Sequence, residues 1–344
     1  MKRKNSLFLW GAALFSLLSL SSESWAGAEP LSLVVPIPPI QFLAERIGGE
    51  AVTVQTLLPP GRDPHTYTPL PGQLRELARA SCFFYLGLPL ELDLLRARGT
   101  GEDLRVISLL SGISLRTMEH RHHHHEDAEH DHGKSLEDSG DDEEHHAEGS
   151  EEHSHHSGDA ALREGAAHDE KPGENPLPSL EGYDPHVWLN PRNMALMART
   201  MEKTLQELDP SRKDLYAANA DVLVDQLEVL HGYLESVLKP VRGRTLLVFH
   251  PAYGYFCHAY GLQQMAVERE GKAPKGKELT DLIRIAEKER IQAIFTQPQF
   301  DQRTAQTVAS AIGARVLSFD PFPLDYMTYL QTMGAILRRE LQAP

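Results

Sequence analysis

The stretch TLLVFHPAYGYF, residues 245–256, contains the pattern that decides the fold. A short apolar run, Thr245 to Phe249, predicts a buried strand that ends at His250 and Pro251. Similar runs occur at Leu31 to Val35, Val52 to Leu58, Cys82 to Leu86, Arg105 to Leu109, Gln264 to Val267, Ile291 to Thr296 and Arg315 to Phe319. Amphipathic stretches lie between them, for example Gln41 to Ile47, Gln73 to Arg79, Leu279 to Glu289 and Gln302 to Ile312. Such alternation predicts parallel sheets covered by helices.

The predicted strands fall into two groups of four, separated by a histidine-rich tract and a long helical region. The helical region runs from Pro210 to Lys239, and its apolar residues recur at helical spacing, at Leu215, Val222, Leu223, Leu227, Leu230, Leu234 and Val237. We therefore expect an α/β protein with two Rossmann-like lobes, each with a parallel four-stranded sheet, joined by one stiff linker helix. The expected division is a first lobe over 29–209, the linker helix over 210–239 and a second lobe over 240–344.

The N-terminal residues have the composition of a secretory signal peptide. Three basic residues at positions 2–4 precede an apolar run from Leu7 to Leu20, and Ala26-Gly27-Ala28 has the A-x-A pattern of a cleavage site. The alternative is a membrane anchor, for which the apolar run is short. We expect residues 1–28 to be removed by cleavage after Ala28, and the mature protein to be soluble in a bacterial periplasm.

The net charge of −15 belongs to one segment of the chain. Residues 119–170 contain 18 of the 49 acidic residues and 13 of the 18 histidines, and they contain no valine, isoleucine or aromatic residue. The rest of the chain has as many basic as acidic residues, which argues against nucleic acid as a partner. Because so few apolar side chains cannot offset the entropy of ordering the backbone, we expect this tract to be disordered.

The same tract predicts weak zinc binding. Its imidazoles lie among carboxylates on a flexible chain, so each site must order the chain as it binds, and its affinity stays below that of a rigid site. The alternative, a solvating acidic linker, explains the charge but not the histidines. These are His120, His122, His123, His124, His125, His130, His132, His145, His146, His153, His155, His156 and His168.

Four residues lie where an open parallel sheet binds its ligands, beyond the carboxyl ends of the strands. His65 follows the second strand, His250 ends the fifth and Asp320 follows the last. His186 lies in the first segment of ordinary composition after the acidic tract, and a proline stands next to each of the four. Three imidazoles and one carboxylate suit a tetrahedral Zn²⁺ site in the cleft between the lobes. Single histidines are more often surface residues, so the pattern alone leaves the metal site open.

Neighbouring residues allow two interpretations each. Asp63 and Asp184 either accept a hydrogen bond from a ligand histidine or cap their own turns. Three aromatic residues either line the cleft or pack in the core, namely Trp188, Tyr253 and Tyr255. Four more residues are not assigned to the site: His231 and His258 are expected on helix surfaces, and Cys82 and Cys257 are expected in different lobes without a disulfide.

Several motifs carry a resemblance to a known family: GRDPHTY at 61–67, DPHVWLNP at 184–191, VFHPAYGYF at 248–256, and FTQPQF at 295–300 followed by LSFDP at 317–321. They are similar to motifs of the metal-specific solute-binding proteins of ABC transporters, the ZnuA-like (TroA-like) zinc receptors. The motifs occur in the family's order, and the resemblance covers nearly the whole mature chain outside the acidic tract.

The resemblance implies a rigid two-lobed fold that binds one ion in its cleft and presents it to a membrane permease. Carried over by motif, the ligands are His65, His186, His250 and Asp320. Manganese receptors of the family tend to have a carboxylate at the position of His250, so an imidazole there favours zinc. Two departures stand out: Gln297 occupies a place where the family often has Glu, and some zinc receptors use water or a loop Glu where this chain has Asp320.

Other functions fit parts of this pattern. A manganese or iron receptor of the same family would share the fold, and a zinc-dependent adhesin or free scavenger would bind zinc without serving a permease. A metalloenzyme would need an open zinc position and a general base, and the sequence has no H-E-x-x-H motif. We expect a monomeric receptor that is not an enzyme, with Zn²⁺ and the ABC permease as its partners.

Overall fold

The computed structural model describes residues 29–98, 104–118, 180, 182–268, 271–300 and 302–342. The expected signal peptide, residues 1–28, and the histidine-rich tract, residues 119–170, lie outside these residues. Strands and helices alternate along the described chain: β1 Leu31–Val35, α1 Pro38–Gly48, β2 Val52–Thr56, α2 Pro71–Arg79, β3 Cys82–Tyr85, α3 Pro89–Arg98, β4 Arg105–Ser108, α4 Pro191–Leu208, α5 Lys213–Leu238, β5 Thr245–Val248, α6 Gly254–Tyr260, β6 Gln263–Ala266, α7 Lys277–Lys288, β7 Ala293–Thr296, α8 Arg303–Ile312, β8 Arg315–Ser318 and α9 Tyr326–Gln342.

Each half of the chain forms one four-stranded parallel sheet, which confirms the predicted fold class. The first sheet has the strand order β2-β1-β3-β4 and the second has the order β6-β5-β7-β8. The inner strands β3, β5 and β7 are buried along their whole length, because helices cover both faces of a parallel sheet. Val35 of β1 pairs with Thr56 of β2, and Val248 of β5 pairs with Ala266 of β6. The segments that follow neighbouring strands therefore start at the same edge of each sheet.

Helix α5 is the predicted linker between the two sheets. Its 26 residues follow a one-turn 3₁₀ helix at Pro210–Arg212, and it packs against α1, α4 and α9. Four leucines of the predicted apolar face are buried, at Leu223, Leu227, Leu230 and Leu234. Leu215 and Val222, which the same spacing grouped with them, are exposed. The buried stripe is thus narrower than the sequence pattern indicated.

One hydrophobic core runs through both halves of the molecule. Phe42 of α1 stacks on Tyr326 of α9, with the ring centroids 5.8 Å apart. Nε1 of Trp188, which precedes α4, donates to the carbonyl of Pro321 at 2.7 Å, and Oη of Tyr326 donates to the carbonyl of Trp188 at 2.7 Å. The two sheets are therefore joined by packed side chains and buried hydrogen bonds as well as by α5. A second, smaller core lies between the second sheet and helices α7 and α8.

The histidines outside the site differ from each other in burial. His258 is exposed on α6, as predicted. His231 is buried on α5, with Nδ1 3.2 Å from Oη of Tyr260, so the prediction of a surface residue is wrong for His231. Helix α6, which carries Tyr260, packs on α5 and covers this ring.

Cys82 and Cys257 are both buried and both free thiols, so no disulfide joins them. Burial raises the pKa of the Cys82 thiol to about 12, which keeps it protonated and unreactive. Among the described helices, none combines the length and the apolar character that crossing a membrane requires.

Candidate metal centre

Three of the four predicted ligands converge. His65 lies in the loop between β2 and α2, His186 shortly precedes α4, and His250 lies two residues after β5. One donor nitrogen of each ring lies within 4.8 Å of the donor nitrogens of the other two. The ring centroids of His65 and His250 are 5.0 Å apart, and those of His186 and His250 are 5.2 Å apart. These three residues, the histidine triad, have the spacing expected around one tetrahedral ion.

Asp63 shapes the turn that carries His65. Its Oδ1 accepts the backbone N–H of His65 at 3.0 Å, and its Oδ2 accepts the hydroxyl of Thr66 at 3.0 Å. Asp63 therefore has the turn-capping role of the two that the sequence allowed. Its bonds fix the main chain of His65 rather than the imidazole ring.

Asp184 has both of its predicted roles at once. Its Oδ1 accepts the backbone N–H of His186 at 2.9 Å and lies 2.7 Å from Nδ1 of the same ring. With a carboxylate at Nδ1, that nitrogen carries the hydrogen, and Nε2 keeps the lone pair that binds a metal. Asp184 and His186 are both buried, so this pair is shielded from solvent.

His250 is held by two residues to which the sequence analysis gave no role. Glu268, which follows β6, lies with Oε1 2.5 Å from Nδ1 of His250. Gln297, which follows β7, accepts the backbone N–H of His250 at 3.1 Å and donates its amide to the His250 carbonyl at 2.8 Å. Because β6 and β7 flank β5, the residues that follow all three strands meet at one place. The strand-end rule that found the ligands would also have found Glu268 and Gln297.

Burial keeps two imidazoles of the histidine triad, those of His65 and His186, neutral. Desolvation by burial, together with the nearby His186 and His250, lowers the pKa of His65 to about 4. Burial also lowers the pKa of His186, although Asp184 acts in the opposite direction. Neutral imidazoles keep their lone pairs for a cation at neutral pH.

Two of the ring nitrogens have no protein partner. Nε2 of His65 and Nε2 of His250 are buried and make no hydrogen bond with any described residue. Buried polar atoms are normally paired, so unpaired lone pairs among three converging rings indicate a bound group. A cation that accepts nitrogen ligands would satisfy them.

Aromatic rings pack against the histidine triad. Phe300 stacks on His250, with the ring centroids 4.9 Å apart and the planes at 21°, and Trp188 lies 5.3 Å from the ring of His186. Trp188 thus contacts the ring of His186 and is also fully buried. It both lines the site and packs in the core, the two positions that the sequence allowed. The remaining aromatic candidates are buried and bond to main-chain atoms: Tyr253 donates to the carbonyl of Phe319, and Tyr255 accepts the N–H of Arg116.

Asp320, the fourth predicted ligand, lies outside the group whose donor atoms are within 4.8 Å of one another. Its Oδ1 accepts the side-chain amide of Gln299 at 2.8 Å and the backbone N–H of Phe322 at 3.0 Å. Asp320 follows β8, which is an edge strand separated from β5 by β7. The structure therefore shows three imidazoles together and the carboxylate apart from them.

Comparison with known proteins agrees with this geometry. The family model described as "Zinc-uptake complex component A periplasmic" (ZnuA) matches residues 33–339. The chain is 26% identical over 300 residues to the "High-affinity zinc uptake system protein ZnuA" of Yersinia pestis, a match that covers 84% of this chain and 82% of that protein. It is 25% identical over 311 residues to the "Metal ABC transporter substrate-binding lipoprotein FimA" of Streptococcus parasanguinis, covering 88% of this chain and 84% of that protein.

Solved structures are similar over most of the chain. A crystal structure of ZnuA has a TM-score of 0.70 and 28% identity, and the match covers 91% of this chain and 100% of that one. A ZnuA deletion mutant with zinc bound has a TM-score of 0.70 and 29% identity, covering 92% of this chain and 100% of that one. The laminin binding protein of Streptococcus agalactiae has a TM-score of 0.66 at 18% identity, covers 91% of this chain and 100% of that one, and shows the fold alone.

Proposed function

The chain belongs to the ZnuA family of metal-binding solute-binding proteins of ABC transporters, and on that premise we propose that it is a zinc receptor. It binds Zn²⁺ at His65, His186 and His250 and delivers the ion to a membrane permease. The observation that carries this proposal is the convergence of three imidazoles, two of which have a buried Nε2 with no partner among the residues that the structure describes. Members of the family bind metal and are not enzymes.

The chemistry of the ligands favours zinc over manganese. Imidazole nitrogens suit zinc, whereas carboxylate, carbonyl and water ligands suit manganese. Two buried carboxylates, on Asp184 and Glu268, accept hydrogen bonds from ligand rings and offset the double charge of the ion. The negative charge thus lies one hydrogen bond away from the metal.

Asp320 is the proposed fourth ligand. Its carboxylate is held by Gln299 and Phe322, so coordination requires its loop to move toward the histidine triad when zinc binds. If Asp320→Asn leaves zinc affinity within about twofold of the wild type, solvent fills the fourth position and Asp320 leaves the ligand set.

The remaining proposals concern the rest of the chain. Residues 1–28 direct export to the periplasm and are cleaved after Ala28, and the receptor acts there as a monomer. The tract at 119–170 captures, buffers or senses zinc through its histidines. The first lobe extends over 29–209, the linker helix over 210–239 and the second lobe over 240–344.

Metal content and affinity test the zinc site directly. Elemental analysis of protein purified from its native periplasm should find zinc and no more than traces of manganese or iron. In a competition titration, His250→Ala should lower zinc affinity by well over tenfold, because an imidazole ligand is lost. His258→Ala, which removes an exposed imidazole of α6, is the control and should leave zinc affinity unchanged. A cleft that holds manganese without preference for zinc would contradict the proposal.

Deleting residues 119–170 tests whether the weak zinc sites of the tract are independent of the tight site in the cleft. Calorimetric titration of the shortened protein should lose the weak sites and keep one tight site. Loss of the tight site as well would show that the two are not independent. Growth of a deletion strain under chelation distinguishes a receptor from an adhesin, because only a receptor mutant should need added zinc.

A further inference from the structure

Gly254 lies against the carboxylate that orients His186. A Cβ atom built on Gly254 would approach Oδ2 of Asp184 to less than 3.0 Å, a separation that real Cβ atoms essentially never show. It would also lie 3.6 Å from Cγ of Asp184. Oδ1 of the same carboxylate is bound to the main chain and the ring of His186. The missing side chain of Gly254 therefore leaves room for a group that is in contact with a ligand.

The backbone of Gly254 does not itself require glycine. Gly254 is not among the residues with positive φ, so alanine would meet no strain from the left-handed region. It begins α6, whose start is fixed by the 2.6 Å hydrogen bond from the N–H of Tyr253 to Oε1 of Gln264. Space for Asp184 is thus the requirement that glycine meets at this position.

Asp184 can make room for an added Cβ only by giving up hydrogen bonds that hold it. It is buried, its N–H donates to the carbonyl of Arg116 at 2.7 Å, and its Oδ1 is engaged twice by His186. A small polar cavity of about 140 Å³ lies beside Asp184 and Gly254 and is also lined by Gln264. A displaced carboxylate would move toward this space and away from Nδ1 of His186.

The contact also joins the two halves of the chain. Asp184 precedes α4 and belongs with the first sheet, whereas Gly254 begins α6 of the second sheet. The distance between α6 and the segment before α4 therefore determines how much space the carboxylate has. A movement of α6 toward Asp184 would displace the carboxylate from His186, as a methyl group added at Gly254 would.

We infer that Gly254 is a positioning residue for zinc binding: the absence of its side chain keeps Asp184 in line with Nδ1 of His186, so that the ligand from the first half depends on a helix of the second half. This inference rests on the proposed zinc site at the histidine triad. It adds Gly254, which does not touch the metal, to the residues that determine the zinc affinity of the site.

Gly254→Ala tests the inference in the full-length protein. Zinc affinity, measured by competition titration, should fall by about 10- to 100-fold, the usual cost of losing the partner of a ligand histidine. The visible spectrum of bound Co²⁺ should change, because the ring of His186 turns at the metal, and a general loss of stability would not produce this change. Gly232→Ala is the matched control: Gly232 lies exposed on α5 with nothing within 4 Å of its Cβ position, and this variant should bind zinc like the wild type.

A double-mutant cycle with Asp184→Ala tests whether Gly254→Ala lowers zinc affinity through the carboxylate of Asp184. In the Asp184→Ala background there is no carboxylate to displace, so Gly254→Ala should change affinity by less than about twofold. Additive losses would overturn the inference, as would an unchanged affinity and Co²⁺ spectrum in Gly254→Ala alone. If Gly254→Ala does not fold, folding of the double variant supports the inference and misfolding of both overturns it. His186→Ala separates the two proposals: if it keeps tight zinc binding, the proposed site fails, whatever Gly254→Ala does.

Discussion

The two sheets have the same strand order, but the buried polar side chains that follow their equivalent strands form hydrogen bonds with different partners. Strands β3 and β7 occupy equivalent places, and a fully buried polar side chain follows each of them. After β3, the carboxyl of Glu91 accepts the N–H groups of Leu86 and Leu88 at 2.8 and 2.5 Å. After β7, the amide of Gln297 exchanges two hydrogen bonds with the main chain of His250.

This difference shows how one topology serves two purposes. Glu91, in the first turn of α3, binds the main chain of the loop between β3 and α3, so its bonds stabilise the first half. Gln297 reaches across to the segment after the neighbouring strand β5, so its bonds place His250 of the histidine triad. The ligand of the first sheet, His65, instead follows the edge strand β2 on a long loop that Asp63 shapes through the main chain. His250 is therefore held more rigidly than His65.

The largest expected effect concerns Glu91 and pH. Burial raises the pKa of Glu91 to about 8, although backbone N–H groups act in the opposite direction. Because the folded state binds this proton more tightly than the unfolded state, the stabilisation is present at acidic pH and is lost as pH rises toward 8. We expect the unfolding free energy to fall by about 1 kcal/mol per pH unit between about pH 5 and 8 from this group.

Glu91→Gln keeps the shape of the side chain and removes the proton equilibrium. Chemical denaturation at several pH values should give a flatter pH dependence for the variant over the same window. Parallel curves for the two proteins would show that Glu91 does not titrate there. Zinc affinity at a fixed pH should be the same in both proteins, because the hydrogen bonds of Glu91 stabilise the first half and do not hold His250 as those of Gln297 do.

The next effect concerns the carboxylates near the histidine triad. Glu268→Gln should lower zinc affinity by about 10- to 100-fold, because Nδ1 of His250 loses its charged partner. Asp63→Asn, which alters bonds to the main chain of His65 and to the hydroxyl of Thr66 but none to the imidazole ring, should lower affinity by less than about threefold. Competition titration of both variants checks this, and equal losses would remove the distinction between the two ligands.

The smallest expected effect comes from Gln297→Glu. A carboxylate at this position can still accept the N–H of His250 but faces the His250 carbonyl without a donor, which should cost about 1 to 2 kcal/mol of unfolding free energy at neutral pH. Gln306→Glu, on the exposed face of α8, is the control for added charge. Thermal unfolding at acidic pH should recover part of the loss, since a protonated glutamate donates again. Equal stability of both variants at neutral pH would contradict the role of Gln297.

Much of the fold was predictable because short buried strands have a strong sequence signal. The predicted run Arg105 to Leu109 differs from β4 by one residue, and the other strand boundaries differ by at most two. The burial of helix faces was less predictable. His231 is buried because α6 packs over it, and Leu215 of the same helix is exposed; periodicity alone does not state which helices lie beside α5.

The strand-end rule predicted where His65 and His250 lie on their two sheets, whereas His186, which follows no strand, was grouped with them by its motif. The residues that hold the ligands were harder to find. Glu268 is 18 residues from His250 in sequence and Gln297 is 47 residues away, so their contacts appear only after the strand order is known. Asp184 was found because it stands two residues before His186.

The hydrophobic core that runs through both sheets has a consequence for how the protein unfolds. Phe42, Trp188 and Tyr326 pack residues of the two halves together, so neither half can unfold without exposing apolar surface of the other. Unfolding should therefore be cooperative, with one calorimetric transition rather than two. A metal ion bound at the histidine triad, which forms only in the folded chain, should then raise the temperature of that single transition. The same ion should protect the whole folded chain from proteases that attack the unfolded form.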